Sequence, residues 1–150
     1  MPTHAEQRPL PHTPQQMYDL VADVARYPEF LPWCAATRIR SNDGRLMVAD
    51  MVIGYKVFRE RFTSRVHLSP LRIDVEYTDG PFKYLNNHWI FLDGPDGGCV
   101  IDFYVDFEFR SKLLQKAIAR VFNEAVQRMV GAFEKRADVL YGLPPKPPEG

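Results

Sequence analysis

Several features common in catalytic and membrane proteins are missing from this chain of 150 residues. It holds only two cysteines, Cys34 and Cys99, which are too few for a disulfide framework and fit a reducing compartment. No stretch approaches the roughly 18 apolar residues that cross a bilayer. The first ten residues have neither an apolar signal core nor an Arg-rich presequence. We therefore expect a cytoplasmic protein whose membrane contact, if any, is peripheral and at the inner face of the cell membrane.

Net charge is also missing, because Lys plus Arg and Asp plus Glu number 19 each. A general nucleic-acid binder needs a basic excess to neutralise phosphates, so we expect no DNA binding. A local basic stripe remains, since Arg59, Arg61 and Arg65 alternate along one predicted strand face. This stripe is either a solvated sheet face or a contact for anionic lipid headgroups or RNA phosphates.

Recognisable catalytic motifs are absent: there is no G-x-S-x-G elbow, P-loop or G-x-G-x-x-G. The four histidines lie far apart, without metal-ligand spacing to each other or to the cysteines. The Gly-rich stretch Asp93–Gly98 lies between two predicted strands, which favours a hairpin turn over a phosphate loop. We therefore predict no catalytic residue, no metal site and no required cofactor.

The pattern of apolar residues predicts a mixed chain. A short N-terminal segment precedes a helix that begins at Thr13-Pro14, an N-cap and first-turn pair. Pro28 and Pro32 then break the chain at an aromatic-rich turn. Strands are predicted over 37–41, 46–53, 56–68, 72–77, 84–92 and 99–109, joined by short turns such as Asn42-Asp43-Gly44. A long helix is predicted from Ser111 to about Tyr141.

The long helix has an apolar stripe too broad for an exposed helix. Its members are Leu114, Ile118, Val121, Ala125, Met129, Ala132 and Phe133, widened by Leu113, Ala117, Phe122, Val126 and Val130. Only the inward face of an antiparallel meander offers enough surface to cover it. The predicted fold class is therefore α+β, with a curved antiparallel sheet wrapped around the C-terminal helix.

The aromatic residues are unusually many, with ten Phe, seven Tyr and two Trp. They either fill a packed core or line an apolar ligand pocket, which also needs a few polar groups. Glu60 shares a strand face with Phe58 and Phe62, so its carboxylate needs a partner, water or a ligand, unless a bend lets it reach solvent. It is the best acid–base candidate in the chain, but no nucleophile or second titratable group is positioned with it.

Several unusual strings are similar to one family. They are YPEFLPWC at 27–34, FRERFTSR at 58–65, DGPFKYLNNHW at 79–89, DFYVDF at 102–107 and FNEA at 122–125. Together they resemble the coenzyme Q-binding START-domain family, over about Pro9 to Gly142. That family includes RatA-type ribosome-association toxins and proteins labelled polyketide cyclase or lipid transport. The lack of a presequence fits a bacterial member.

The resemblance implies a helix-grip fold, START-like and Bet v 1-like, with an internal hydrophobic cavity. We expect one domain over 1–142, followed by a disordered Pro-rich tail at 143–150 that departs from the family pattern. We expect the cavity to hold ubiquinone or a related polyisoprenoid quinone, in support of respiration. The residues expected to contact this lipid are Phe30, Trp33, Phe58, Glu60, Phe62, Tyr77, Phe82, Asn87, His88, Trp89, Phe91, Phe103, Phe107, Ile118, Val121, Phe122 and Ala125.

Three functions stay open from the sequence. The favoured one is a lipid or quinone carrier, whose ring carbonyls would need donors such as Asn87, His88 and the indole of Trp89 or Trp33. The second is a factor that binds the large ribosomal subunit and blocks subunit association, using Arg59, Arg61 and Arg65. The third is an enzyme of the polyketide cyclase type, in which only Glu60 or His88 could serve as the acid or base.

Overall fold

The computed structural model describes residues 3–55 and 58–142. The strands are β1 (Thr3–Leu10), β2 (Cys34–Asn42), β3 (Leu46–Tyr55), β4 (Phe58–Ser69), β5 (Arg72–Asp79), β6 (Phe82–Asp93) and β7 (Cys99–Phe109). The helices are α1 (Pro14–Ala22) and α2 (Lys112–Tyr141), with short 3-10 turns at Val24–Glu29 and Pro95–Gly97. The predicted order of elements is confirmed, and the expected tail at 143–150 lies outside the described residues.

All seven strands form one antiparallel sheet in the order β1-β7-β6-β5-β4-β3-β2. The N-terminal segment, which the sequence left without a defined partner, pairs with β7 along its whole length. Register shifts interrupt β2 twice, β4 between Thr63 and Ser64, and β6 between Phe82 and Tyr84. Such bulges bend strands and increase their twist, so the sheet can curve around a helix.

Helix α1 begins where the sequence predicts, because Thr13 forms a capping box with Gln16. Its hydroxyl accepts from the Gln16 backbone N–H at 3.1 Å, and the Gln16 side chain accepts from the Thr13 N–H at 3.0 Å. Helix α2 is capped by Ser111 at its start. It ends at Gly142, whose φ of 78° lies in the left-handed region that favours glycine.

Helix α2 lies across the concave face of the sheet, as the broad stripe predicted. Its Phe133 ring contacts the rings of Tyr27, Phe30 and Trp89 at centroid distances of 5.2–5.3 Å. The stripe is narrower than expected at its edges: Leu113 is 70% exposed, and Ala132 lines a groove on the outer side of the helix. No helix in the described ranges is long and apolar enough to span a bilayer.

Strand bounds differ from the predicted ones by a few residues at most ends. Strand β2 begins at Cys34 and not at Thr37, and β6 begins at Phe82 and not at Tyr84. In both cases a bulge follows the first residue or two, so the alternation of apolar side chains is out of phase there. Only for β7 do the predicted bounds match at both ends.

Candidate functional site: an apolar cavity between sheet and helix

An apolar cavity of about 310 Å³ lies between the concave face of the sheet and helix α2. One wall is formed by inward side chains of strands β3 to β7, and the other by Leu114, Ile118, Val121, Ala125 and Met129 of α2. These helix positions recur every three or four residues, so they share one face of α2. The volume lies at the lower end of the roughly 300–1,000 Å³ range of small-molecule pockets.

Most of the residues predicted to contact a lipid line this cavity. They are Trp33, Glu60, Phe62, Phe82, Asn87, Trp89, Phe103, Phe107, Ile118, Val121 and Ala125. A close backbone approach helps to form the wall at Phe62, because a Cβ on Gly80 would lie 2.5 Å from the Phe62 Cβ. The Gly80 φ of 143° also favours glycine, which explains the Asp-Gly-Pro-Phe string at this turn.

Five other predicted contacts are placed elsewhere: Phe30, Tyr77, His88, Phe91 and Phe122 do not line the cavity. His88 lies on the outer face of β6, where its ring stacks on Tyr104 at 5.3 Å. Phe91 shares the inward face, but Tyr18 of α1 covers it. The side chain of Phe58 lies outside the described residues.

The remaining three pack against other side chains. Phe30 lies under the Arg136 guanidinium, whose central carbon is 5.3 Å from the ring centroid. The Tyr77 ring packs on Phe82, and its hydroxyl accepts the Phe82 backbone N–H at 3.1 Å. Phe122 packs on Phe107, behind the cavity wall.

Some lining residues were not predicted as contacts. Ser64 and Val66 continue the inward face of β4, and Val105 lies on the inward face of β7. Strand alternation was the available signal for all three. Leu31 and Tyr27 line the cavity from the 27–34 string, and no periodicity could have placed them because this segment is irregular.

Several polar side chains of the cavity wall are hydrogen-bonded to each other or to backbone carbonyls. The Trp89 indole N–H donates to Asn87 Oδ1 at 3.1 Å, and Asn87 Nδ2 donates to the Tyr104 carbonyl at 2.8 Å. The Tyr27 hydroxyl donates to the Val21 carbonyl. Burial raises the pKa of Tyr27 far above its ordinary value. Two of the donors expected for a quinone head, Trp89 and His88, are therefore bonded within the wall or turned away from the cavity.

Two polar side chains of the wall have no such partner. Glu60 and Ser64 line the cavity from β4, and neither side chain makes a hydrogen bond or ion pair with a described residue. Arg59 and Arg61, the neighbours of Glu60, are exposed on the opposite face of the strand as alternation predicts. Glu60 is the only carboxylate among the described lining residues, and no histidine lies with it.

The outer face of the sheet carries the basic stripe predicted from alternation. Arg59, Arg61 and Arg65 are all exposed, and none makes an ion pair within the described part of the chain. Beside them, Asp50 is only 4% exposed and accepts from Thr63 at 2.5 Å and Arg40 at 2.8 Å. Burial would raise the pKa of Asp50, but these hydrogen bonds and the charge of Arg40 lower it overall.

The groups most often used for metal binding or nucleophilic chemistry are dispersed. No group of three or more His, Cys, Asp or Glu side chains in the described ranges could hold a metal ion. Cys34 and Cys99 are buried, and burial raises the pKa of each thiol to about 11. A thiol with so high a pKa is rarely the reactive thiolate at neutral pH.

The fold and cavity define the class of protein: an antiparallel sheet that grips a long C-terminal helix around an apolar cavity. A START superfamily protein from Mycobacterium smegmatis superposes with a TM-score of 0.80 at 15% identity, covering 92% of this chain and 98% of that one. The Zhui aromatase/cyclase from Streptomyces superposes with a TM-score of 0.77 at 13% identity, covering 91% and 93%. At these identities the likeness shows the fold alone.

Residues 10–134 match the family model described as polyketide cyclase / dehydrase and lipid transport, and the chain belongs to that family. Its relatives include the ribosome association toxin RatA of Escherichia coli K12, 39% identical over 142 residues, covering 94% of this chain and 90% of RatA. The coenzyme Q-binding protein COQ10 homolog B of Xenopus laevis is 36% identical over 144 residues, covering 93% and 59%. The solution structure of an 18 kDa Caulobacter crescentus protein is 35% identical, with a TM-score of 0.75 over 95% and 100%.

Proposed function

We propose that this protein binds a polyisoprenoid quinone in the cavity and carries it in support of respiratory electron transport. The observation that carries the proposal is the cavity itself, an apolar space walled by aromatic and aliphatic side chains with few polar groups. Such a lining suits a long apolar ligand with a small polar head. The name of the Xenopus relative, a coenzyme Q-binding protein, adds support.

Burial of an isoprenoid tail in this cavity would contribute a favourable binding free energy. Burial contributes about 0.8 kcal/mol per carbon group, or roughly 3 kcal/mol per five-carbon unit after ordering is discounted. Two or three buried units therefore give useful affinity without any hydrogen bond to the head. Because Glu60 stands alone as a carboxylate of the described lining, we propose no acid–base step and no enzymatic reaction.

The proposal is tested by extracting purified protein with organic solvent and identifying the bound lipid by mass spectrometry. We expect a quinone in an amount that approaches one molecule per chain. Protein that is folded but yields no quinone, and that does not take up added quinone from detergent, would refute the proposal.

A second function has its own observation, the exposed basic stripe of Arg59, Arg61 and Arg65, which forms no ion pair with another described residue. We propose that this stripe contacts phosphates of the large ribosomal subunit. The Escherichia coli relative is named a ribosome association toxin, which supports a ribosomal partner. The stripe lies on the outer face of β4, so a cavity ligand and a ribosome contact do not compete for the same surface.

Co-sedimentation with purified large subunits tests this second function. Changing all three arginines to glutamate should abolish binding, whereas Lys112, Lys116 and Arg120 on α2 provide a control with the same change in charge. Wild-type binding should weaken steeply with salt, because each phosphate contact releases counterions. Failure of the wild type to co-sediment at low salt, or equal losses in both triple variants, would refute it.

A further inference from the structure

We infer that the cavity binds the reduced quinol form of its ligand more tightly than the oxidised quinone. In the quinol complex, Glu60 accepts a hydrogen bond from a ring hydroxyl. The inference rests on the proposed function and specifies the ligand further. It starts from the difference between the two forms: quinone oxygens only accept hydrogen bonds, whereas quinol hydroxyls also donate them. The polar groups left unpaired in the wall therefore decide which form is favoured.

The donors of the wall are largely engaged. The indole N–H of Trp89 is bonded to Asn87, one N–H of that amide is bonded to the Tyr104 carbonyl, and the Tyr27 hydroxyl is bonded to Val21. His88, another expected donor, lies on the outer face. A quinone carbonyl thus meets few free donors along the described wall.

Glu60 is a hydrogen-bond acceptor of the wall that has no partner among the described residues. The Glu60 carboxylate has two oxygens that accept and none that donates, and no described residue bonds to either. A quinol hydroxyl would donate to it in a charge-assisted hydrogen bond, whereas a quinone carbonyl would bring one acceptor against another. The Ser64 hydroxyl can both donate and accept, so it does not distinguish the two forms.

The position of Glu60 also sets the orientation of the ligand in the cavity. Glu60 pairs with Ile53 next to Gly54, near the β3–β4 connection, with Trp33 on the adjoining wall. Val66 lies six residues further along β4, at roughly 3.3 Å per residue and so about 20 Å away. The apolar wall around Val66, Trp89 and Phe103 receives the tail, and the ring stays at the Glu60 end.

The test compares a benzoquinone that carries a two-isoprene tail with its hydroquinone, under anaerobic conditions. Binding is followed by the quenching of tryptophan fluorescence, since Trp33 and Trp89 line the cavity. We expect the hydroquinone to bind at least about tenfold more tightly, as a hydrogen bond to a charged group allows. At fixed pH, a tenfold preference raises the midpoint potential of the bound two-electron couple by about 30 mV.

The Glu60→Gln variant should bring this ratio close to one, because its amide can donate to the quinone as well as accept from the quinol. Glu76→Gln, on the exposed outer face, is the matched control and should keep the wild-type ratio. Equal binding of the two forms, tighter binding of the quinone, or an unchanged ratio in Glu60→Gln would overturn the inference and leave the proposed function standing. If neither form binds, both fail.

Discussion

Replacing Ala125 with tryptophan would place a large ring in the middle of the cavity wall. Ala125 lines the cavity from α2, between Leu114 near one end and Phe133 near the other. An indole there occupies space that a lipid tail would otherwise fill. We expect it to displace about one isoprene unit, a loss of roughly 3 kcal/mol and so about a hundredfold weaker binding.

The same substitution should leave the folded state stable. In a packed core, overpacking costs about 1–3 kcal/mol, which would lower the Tm of a 150-residue domain by several degrees. Here the ring enters a void of about 310 Å³, so we expect the Tm to be unchanged or raised. Ala119 is exposed on the same helix, and Ala119→Trp is the matched control that should affect neither property.

Quinone affinity and thermal unfolding are measured in parallel on the three proteins. A large fall in Tm for Ala125→Trp would mean that α2 and the sheet are closely packed at this position and that no cavity lies beside Ala125. A variant that keeps both its stability and its full affinity for quinone would show that the ligand binds elsewhere.

Three further predictions concern stability and reactivity. Thr13→Ala removes one half of the capping box with Gln16 and should cost about 1 kcal/mol, seen as a lower Tm or urea midpoint, whereas Thr13→Ser should not. Asp50 has a lowered pKa, so its stabilising effect is present above the ordinary carboxyl value near 4 and is lost as pH falls through the lower folded-state value. Acid titrations of stability should therefore be less steep in Asp50→Asn than in the wild type, and parallel curves would contradict this. Cys34 and Cys99 should react slowly with a disulfide reagent at pH 8 in the native state and rapidly once unfolded, since burial raises the pKa of each to about 11.

The sequence predicted those parts of the fold in which one face is apolar and the other polar. Strand β7 alternates cleanly and was bounded correctly at both ends, and the stripe of α2 identified the helix that the sheet grips. The N-cap of α1 followed from local chemistry alone. In each case, local pattern and tertiary burial agree.

The site was less accessible to such reasoning, for two physical reasons. Strand β6 carries large side chains on both faces, so alternation could not decide that Trp89 and Asn87 point inward and His88 outward. Other residues depend on which element covers them: Phe91 faces inward but lies under α1, and Phe30 lies under Arg136. These are tertiary contacts that no periodicity records.

The cavity also affects the lifetime of the protein in the cell. An apolar cavity of about 310 Å³ leaves its lining side chains with fewer packing partners than a filled core would give them, which lowers the stability of the folded state. An occupant at a hundred times its dissociation constant restores about 2.7 kcal/mol through mass action. In the absence of lipid the chain should unfold more often and meet proteases more often. If the cavity holds a lipid as proposed, the steady-state abundance of the protein would then follow the supply of that lipid.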